Sequence, residues 1–223
     1  MRDACCSVLE LRQYTLHPGT RDRLIELFDR ALVEGQEATG MHVVDYFRDL
    51  DRPERFAFVR GFRNMAARAA AMSEFYDGPV WKAHRDAANA TMIDWSDVRL
   101  LRPVASGSGF SHAGLEAPAP LVVASVFVPS SEEEFARFFE ERGRPLAGGT
   151  PLAWLRTEPA ENNFPRLPIR TDENVFIWFA AFADDASARA HIERLDGSVA
   201  LRSRLDAPPA HVRLAPASGS RRR

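Results

Sequence analysis

Apolar and polar positions alternate from Val8 to Leu16, as in a half-buried strand, until His17-Pro18-Gly19-Thr20 interrupts the pattern. Leu24, Ile25, Leu27, Phe28 and Leu32 then recur at helical spacing as far as Gly40. Met41 to Arg48 predicts a second strand, Asp49 to Pro53 a turn, and Phe56 to Phe62 a third strand with Phe56, Phe58, Arg60 and Phe62 on one face. An alanine-rich helical stretch runs from Asn64 to about Thr91, breaking and restarting at Gly78-Pro79, and Val98 to Arg102 forms a short closing strand. The order is βαββαβ, the ferredoxin-like pattern.

Between Val104 and Pro120 the periodicity fades and glycine, serine and proline accumulate, the composition of an exposed connection. The same order then returns: strand Leu121 to Val128, helix Ser131 to Arg142, strands Pro151 to Thr157 and Val175 to Phe182, helix Asp184 to about Leu205, and strand His211 to Leu214. Phe56, Phe58 and Phe62 fall opposite Phe176, Trp178 and Phe182 at an offset of 120 positions, and Gly78 to Arg85 falls opposite Gly197 to Arg204 at nearly the same offset. The chain thus divides into a first unit (8–103), a linker (104–120), a degenerate second unit (121–215) and a tail (216–223) expected to be disordered. A βαββαβ unit covers one sheet face with helices and leaves the other bare. The fold class is α+β, two tandem ferredoxin-like units packed sheet to sheet as a barrel-like body whose interior is either a filled core or a ligand cavity.

With 223 residues, 45% of them apolar, the chain can bury one or two cores, which excludes disorder of the whole. A net charge of -2 and the absence of a basic stripe argue against nucleic acid. Lys82 is the single lysine among 29 basic residues, a bias of GC-rich coding rather than a sign of anion recognition. No run approaches the roughly 18 to 20 apolar residues of a membrane span, and MRDACCSVLELRQ lacks a signal-peptide core, so a soluble cytoplasmic protein is expected. Cys5 and Cys6 are adjacent and ill placed to bridge each other; without CxxC, HxH or HExxH, no metal is expected and they read as tail thiols.

Three separated stretches, ELRQYTLHPG from Glu10, YFRDLDRPERFAFVRGF from Tyr46 and FYDGPVWKAHRDAANATM from Phe75, resemble a NIPSNAP domain over residues 8–103. The resemblance implies a dimeric α/β-barrel of ferredoxin-like type, in a superfamily that also houses cofactor-independent monooxygenases, haem-associated proteins and isomerases. It implies no single activity. The second half departs from the pattern, lacking the Trp-Lys-Ala-His stretch and carrying Ala180 where the first has Arg60, so a site is expected in the first half.

Within that half Trp81, Arg85, Ala88 and Met92 share a helix face, with His84 and Asn89 at its border. Glu10, Arg12 and Tyr14 alternate onto one strand face, expected to be sheltered by the opposite sheet, and His42, Tyr46, Arg48 and Arg60 lie on neighbouring strands. For an anionic ligand Arg12, Arg60 and Arg85 would be clamps, Trp81 and Asn89 further contacts, His84 the general base and Tyr14 its companion at the rim. The plainer reading makes Trp81 and Met92 core, His84 a satisfied histidine and Arg85 the partner of Asp86 or Asp45. No cofactor is expected; haem is the alternative, with His84, His42 or His17 as axial ligand. Hydrolase chemistry finds no Gly-x-Ser-x-Gly elbow. The leading expectation is a small-molecule binder with its ligand in the barrel interior. The alternatives are a cofactor-independent monooxygenase or isomerase of a small enolisable metabolite, and a haem-binding or purely structural module; homo-oligomerisation stays open.

Overall fold

The computed structural model describes residues 6–111 and 121–217. In the first half β1 (Val8–Leu16) leads through α1 (Arg21–Leu27), a π-helical turn (Phe28–Leu32) and α2 (Val33–Glu37) to β2 (His42–Asp49) and β3 (Arg55–Phe62), then α3 (Met65–Asp77), α4 (Pro79–Asn89) and β4 (Met92–Pro103). The second half runs β5 (Leu121–Phe127), α5 (Glu132–Phe138), a second π-helical turn (Phe139–Gly143), α6 (Arg144–Ala147), β6 (Thr150–Thr157), β7 (Phe176–Phe182), α7 (Asp185–Gly197), α8 (Val199–Arg202) and β8 (Ala210–Pro216). Polar caps start the two long helices. The Asn64 side chain accepts from the Ala67 amide at 2.8 Å, and Asp184 accepts from Ser187 at 2.7 Å. Pro79 at the first turn of α4 restarts the helix after Gly78 without losing a hydrogen bond. The strand closing the first half is longer than the sequence pattern suggests, beginning at Met92 rather than Val98.

All strand pairs are antiparallel, and they close into a barrel in the order β1-β3-β2-β8-β5-β7-β6-β4. Two four-stranded sheets, one from each half, meet along two short seams. Phe47–Asp49 of β2 pairs with Leu214–Pro216 of β8, and Leu101–Pro103 of β4 pairs with Leu155–Thr157 of β6.

Strand alternation sorts the side chains into two sets. Leu9, Leu11, Val59, Val122, Ala124, Leu155 and Ile177 join a buried cluster drawn from all eight strands and from no helix, so the barrel interior is a filled core. Phe56, Phe58 and Phe62 point the other way, onto the helices of the first half, and Phe176, Trp178 and Phe182 onto those of the second. This corrects the expectation of a ligand cavity inside the barrel. The narrow lumen of an eight-stranded barrel is filled by aliphatic side chains together with Phe47, Phe110 and Phe179, and the larger set of rings lies between sheet and helices.

Residues 104–111 are less exposed than their composition suggests. Ser108 and Phe110 are buried, the Phe110 ring lies 5.1 Å from Phe179, and the Ser108 carbonyl accepts from the Trp154 amide at 2.8 Å. Cys6 is likewise no tail thiol; it is buried at the end of the barrel core. Cys5, residues 112–120 of the linker and 218–223 of the tail lie outside the described residues. No described helix is long and apolar enough to cross a membrane.

Candidate functional site

The face of β1 that turns toward the helices carries Glu10, Arg12 and Tyr14, and the β1–β3 register sets Glu10 opposite Arg60. Helix α3 adds Arg68. One Glu10 oxygen accepts from Arg60 Nε at 2.8 Å and from Arg12 Nη1 at 2.9 Å, and the other from Arg68 Nε at 2.8 Å. None of the four side chains is exposed. Burial alone would raise the Glu10 pKa, but Arg60, Arg12 and Arg68 reverse this and hold the carboxyl far below the usual range.

One carboxylate among three guanidiniums leaves a surplus of positive charge away from solvent. Arg60 spends its other donors on Gln36 Oε1 at 2.9 Å and the Met72 sulfur, and Arg68 on Asn163 at 2.7 Å and Asn162 at 3.1 Å. Arg12 Nε donates to the Tyr14 hydroxyl oxygen at 2.9 Å, while its Nη2 is buried without a hydrogen-bond acceptor. Burial, opposed by Arg12, raises the Tyr14 pKa, so the phenol stays protonated and keeps its own proton to donate.

In front of this cluster lies a small cleft of about 30 Å³, partly open to solvent. Tyr14 and Phe58 of the sheet form its floor. Phe28, Leu32 and Gln36, carried by the π-helical turn and α2, form one wall, and Tyr76, Trp81 and Ala88 of α3 and α4 the other, with Met92 at the end. The rings interlock, Tyr14 edge-on to Phe58 at 5.5 Å and Tyr76 edge-on to Trp81 at 5.0 Å. Gly35 lets α2 close on α4, since a Cβ there would stand 2.7 Å from a Val80 methyl. Phe164, from the long segment between β6 and β7, stacks on Tyr76 with centroids 5.6 Å apart. The second half therefore supports the outer side of a cleft lined by the first.

Residues 9–107 match the model of the NIPSNAP family. The first half of the chain is thus similar to a NIPSNAP domain. No curated protein sequence matches with significance. Among solved structures, an anthrone oxidase-like protein is similar with a TM-score of 0.60 at 14% identity, over 94% of this chain and 90% of its own. Candidate monooxygenases from Fusobacterium nucleatum (TM-score 0.58, 10% identity, 94% and 91% covered) and Lactobacillus acidophilus (0.54, 15%, 94% and 93%) are similar as well. At such identities the likeness is one of fold, and it extends over both halves.

Within the matched residues Arg12, Tyr14, Arg60 and Trp81 come together, Tyr14 and Trp81 lining the cleft and the arginines bound to Glu10. The other three residues singled out from the sequence do not line it. His84 is half-buried, Asn89 is exposed, and the Arg85 side chain is 56% exposed with Asp86 at 3.4 Å. Arg85 is thus outside the arginine group, where Arg68 stands instead. A fourth cation beside an already surplus charge would be costly, and the long side chain reaches solvent instead. Arg68 was missed, although it shares the spacing of the buried Ala71, Met72 and Phe75, a signal that an arginine faces inward. His17 follows β1, His42 opens β2 and His84 lies in α4, and none lines the cleft. Among the described residues no group of three or more His, Cys, Asp or Glu could hold a metal ion.

The second half holds a different polar network, which the sequence reading did not anticipate because its members come from three distant elements. Ser125 Oγ lies 3.0 Å from His191 Nε2 and 2.9 Å from His211 Nδ1, and His211 Nε2 lies 3.2 Å from Asp196. Ser125 is fully buried, out of a substrate's reach.

Proposed function

We propose that the NIPSNAP-like first half binds a small flat molecule in the cleft between its sheet and its helices. The observation that carries this reading is the aromatic cleft whose polar floor, Tyr14, is backed by three guanidiniums on one carboxylate. Aromatic walls give a flat ligand area, and a few convergent polar groups fix its orientation. In this reading the second half is a degenerate ferredoxin-like repeat that closes the barrel and buttresses the cleft. Val123 stands opposite Ala180 as Glu10 does opposite Arg60, and Ala188 follows Arg68 by the offset that relates Ala180 to Arg60, so every member of the ion cluster but Arg12 has an apolar counterpart, and Arg12 has Ser125. The two π-helical turns, each opening on a phenylalanine after the first strand of its half, support the repeat.

A second reading, catalysis on an enolisable metabolite by a cofactor-independent monooxygenase or isomerase, is favoured by the whole-length fold likeness to candidate monooxygenases and an anthrone oxidase-like protein. Buried guanidiniums would stabilise an enolate. That reading still needs a base, since Tyr14 is held protonated.

Native mass spectra of the purified protein, paired with quenching of Trp81 fluorescence by aromatic probes, test the binding reading. A retained small-molecule mass or saturable quenching, lost in Ala88→Leu, supports it. An apo mass and no saturable quenching by any probe would remove it.

A further inference from the structure

The charge balance behind the cleft narrows the chemical class of ligand. Glu10 is the carboxylate shared by Arg12, Arg60 and Arg68, and all four side chains are without exposure, so the surplus is not screened by water. Arg12 Nη2, buried and charged, has no acceptor, an arrangement that native structures avoid unless a water, ion or ligand completes it. The path from this surplus to the cleft is one hydrogen bond long. Arg12 Nε donates to the Tyr14 oxygen, which polarises the phenol and leaves its O–H to donate toward a ligand. Gln36, another polar group on the wall beside the Tyr76 hydroxyl and the Trp81 indole, has its oxygen taken by Arg60 and its amide nitrogen by the Leu32 carbonyl. None of the side chains lining the cleft is acidic.

Resting on the cleft reading above, we propose that the cleft takes a planar conjugated acid, a phenol, an enol or an aromatic carboxylic acid, and binds it as its anion. The ionised oxygen is received by the Tyr14 hydroxyl, which the Arg12 guanidinium polarises from behind, and the conjugated body lies against Phe28, Tyr76 and Trp81. A ligand entering in its neutral form releases its proton to solvent, and no bond other than O–H is broken. Selection is then for charge as well as shape. A methyl ether of the same outline leaves the donors unanswered and loses about tenfold or more in affinity, the usual scale for a hydrogen bond to a charged group.

The test compares 4-nitrophenol, whose phenolate absorbs in the visible, with its methyl ether 4-nitroanisole on the full-length chain. Binding of both is followed by Trp81 quenching and the ionisation of bound phenol by its spectrum. The proposal expects bound 4-nitrophenol to ionise about one pH unit or more below the free compound, to bind about tenfold more tightly than the ether, and to lose both properties in Tyr14→Phe. Equal affinity for phenol and ether, with bound phenol remaining neutral, overturns the anion proposal while leaving the cleft reading intact. If neither compound binds, this proposal fails, and the cleft reading fails with it when no other aromatic probe quenches saturably either. The wild-type spectrum decides the matter even if Tyr14→Phe does not fold.

Discussion

Glu10 and Arg60 face each other across the β1–β3 register and bond at 2.8 Å, with neither side chain exposed. Because Arg12 and Arg68 close on the same carboxylate, Glu10 is the one charge that makes three buried cations tolerable. Replacing it by Gln keeps the shape and removes the charge. Glu10→Gln is expected to cost about 3–5 kcal/mol in urea unfolding, the range for breaking a buried ion pair from one side. Arg85→Ala, which removes an exposed guanidinium, is the control and should stay within about 0.5 kcal/mol.

Ala88 is buried and lines the cleft beside Trp81. Ala88→Leu would fill that space with a branched side chain. The expected outcome is loss of ligand-dependent quenching at Trp81, with a stability cost of about 1–3 kcal/mol from overpacking. Fluorescence titration and a melting curve on the same sample separate the two effects.

Asn163 links the halves, accepting from Arg68 at 2.7 Å and donating to the Met65 carbonyl at 2.6 Å. Asn163→Ala should cost about 1–2 kcal/mol and raise amide exchange across residues 158–174 more than elsewhere, since that segment then loses one of its polar tethers to α3 and keeps the longer Arg68–Asn162 bond. Hydrogen exchange with mass spectrometry reads this directly.

Acid should loosen the second half. His191 Nδ1 donates to the Ala147 carbonyl, so the neutral ring presents Nε2 as an acceptor to Ser125. Burial, assisted by His211 and Arg194 and opposed by the Ala147 carbonyl, lowers the His191 pKa from 6.5 to about 4. The unfolded chain takes up this proton near pH 6.5 and the folded chain only near pH 4, so the stability is present above that window and is lost as pH falls through it. The loss from this group amounts to about 3 kcal/mol. Urea midpoints measured from pH 7 down to about 4.5 should fall in the wild type and flatten in His191→Gln.

The strand and helix order of both halves was legible in the sequence, since each element carries its own period and stop signals, as at Gly78-Pro79 and Asn64. The NIPSNAP stretches were legible for the same local reason. Which face of β1 meets the helices was not, because alternation gives two faces and names neither. Glu10, Arg12 and Tyr14 were grouped correctly and turned toward the wrong neighbour. Arg85 and Arg68 carry the same charge on neighbouring helices, and only the packing of α3 and α4 on the sheet distinguishes the exposed one from the buried one. The contacts of Arg68 with Asn162 and Asn163, and of Ser125 with His191 and His211, join residues more than sixty positions apart, beyond any local pattern.

The central claim, that ligands enter between sheet and helices rather than inside the barrel, is tested most directly by a methyl-resolved NMR titration with 4-nitrophenol. Met92 reports on the cleft and Ile177 on the barrel core. The account predicts a saturable shift of the Met92 methyl with the Ile177 methyl unmoved; a saturable shift at Ile177 with Met92 silent would contradict it.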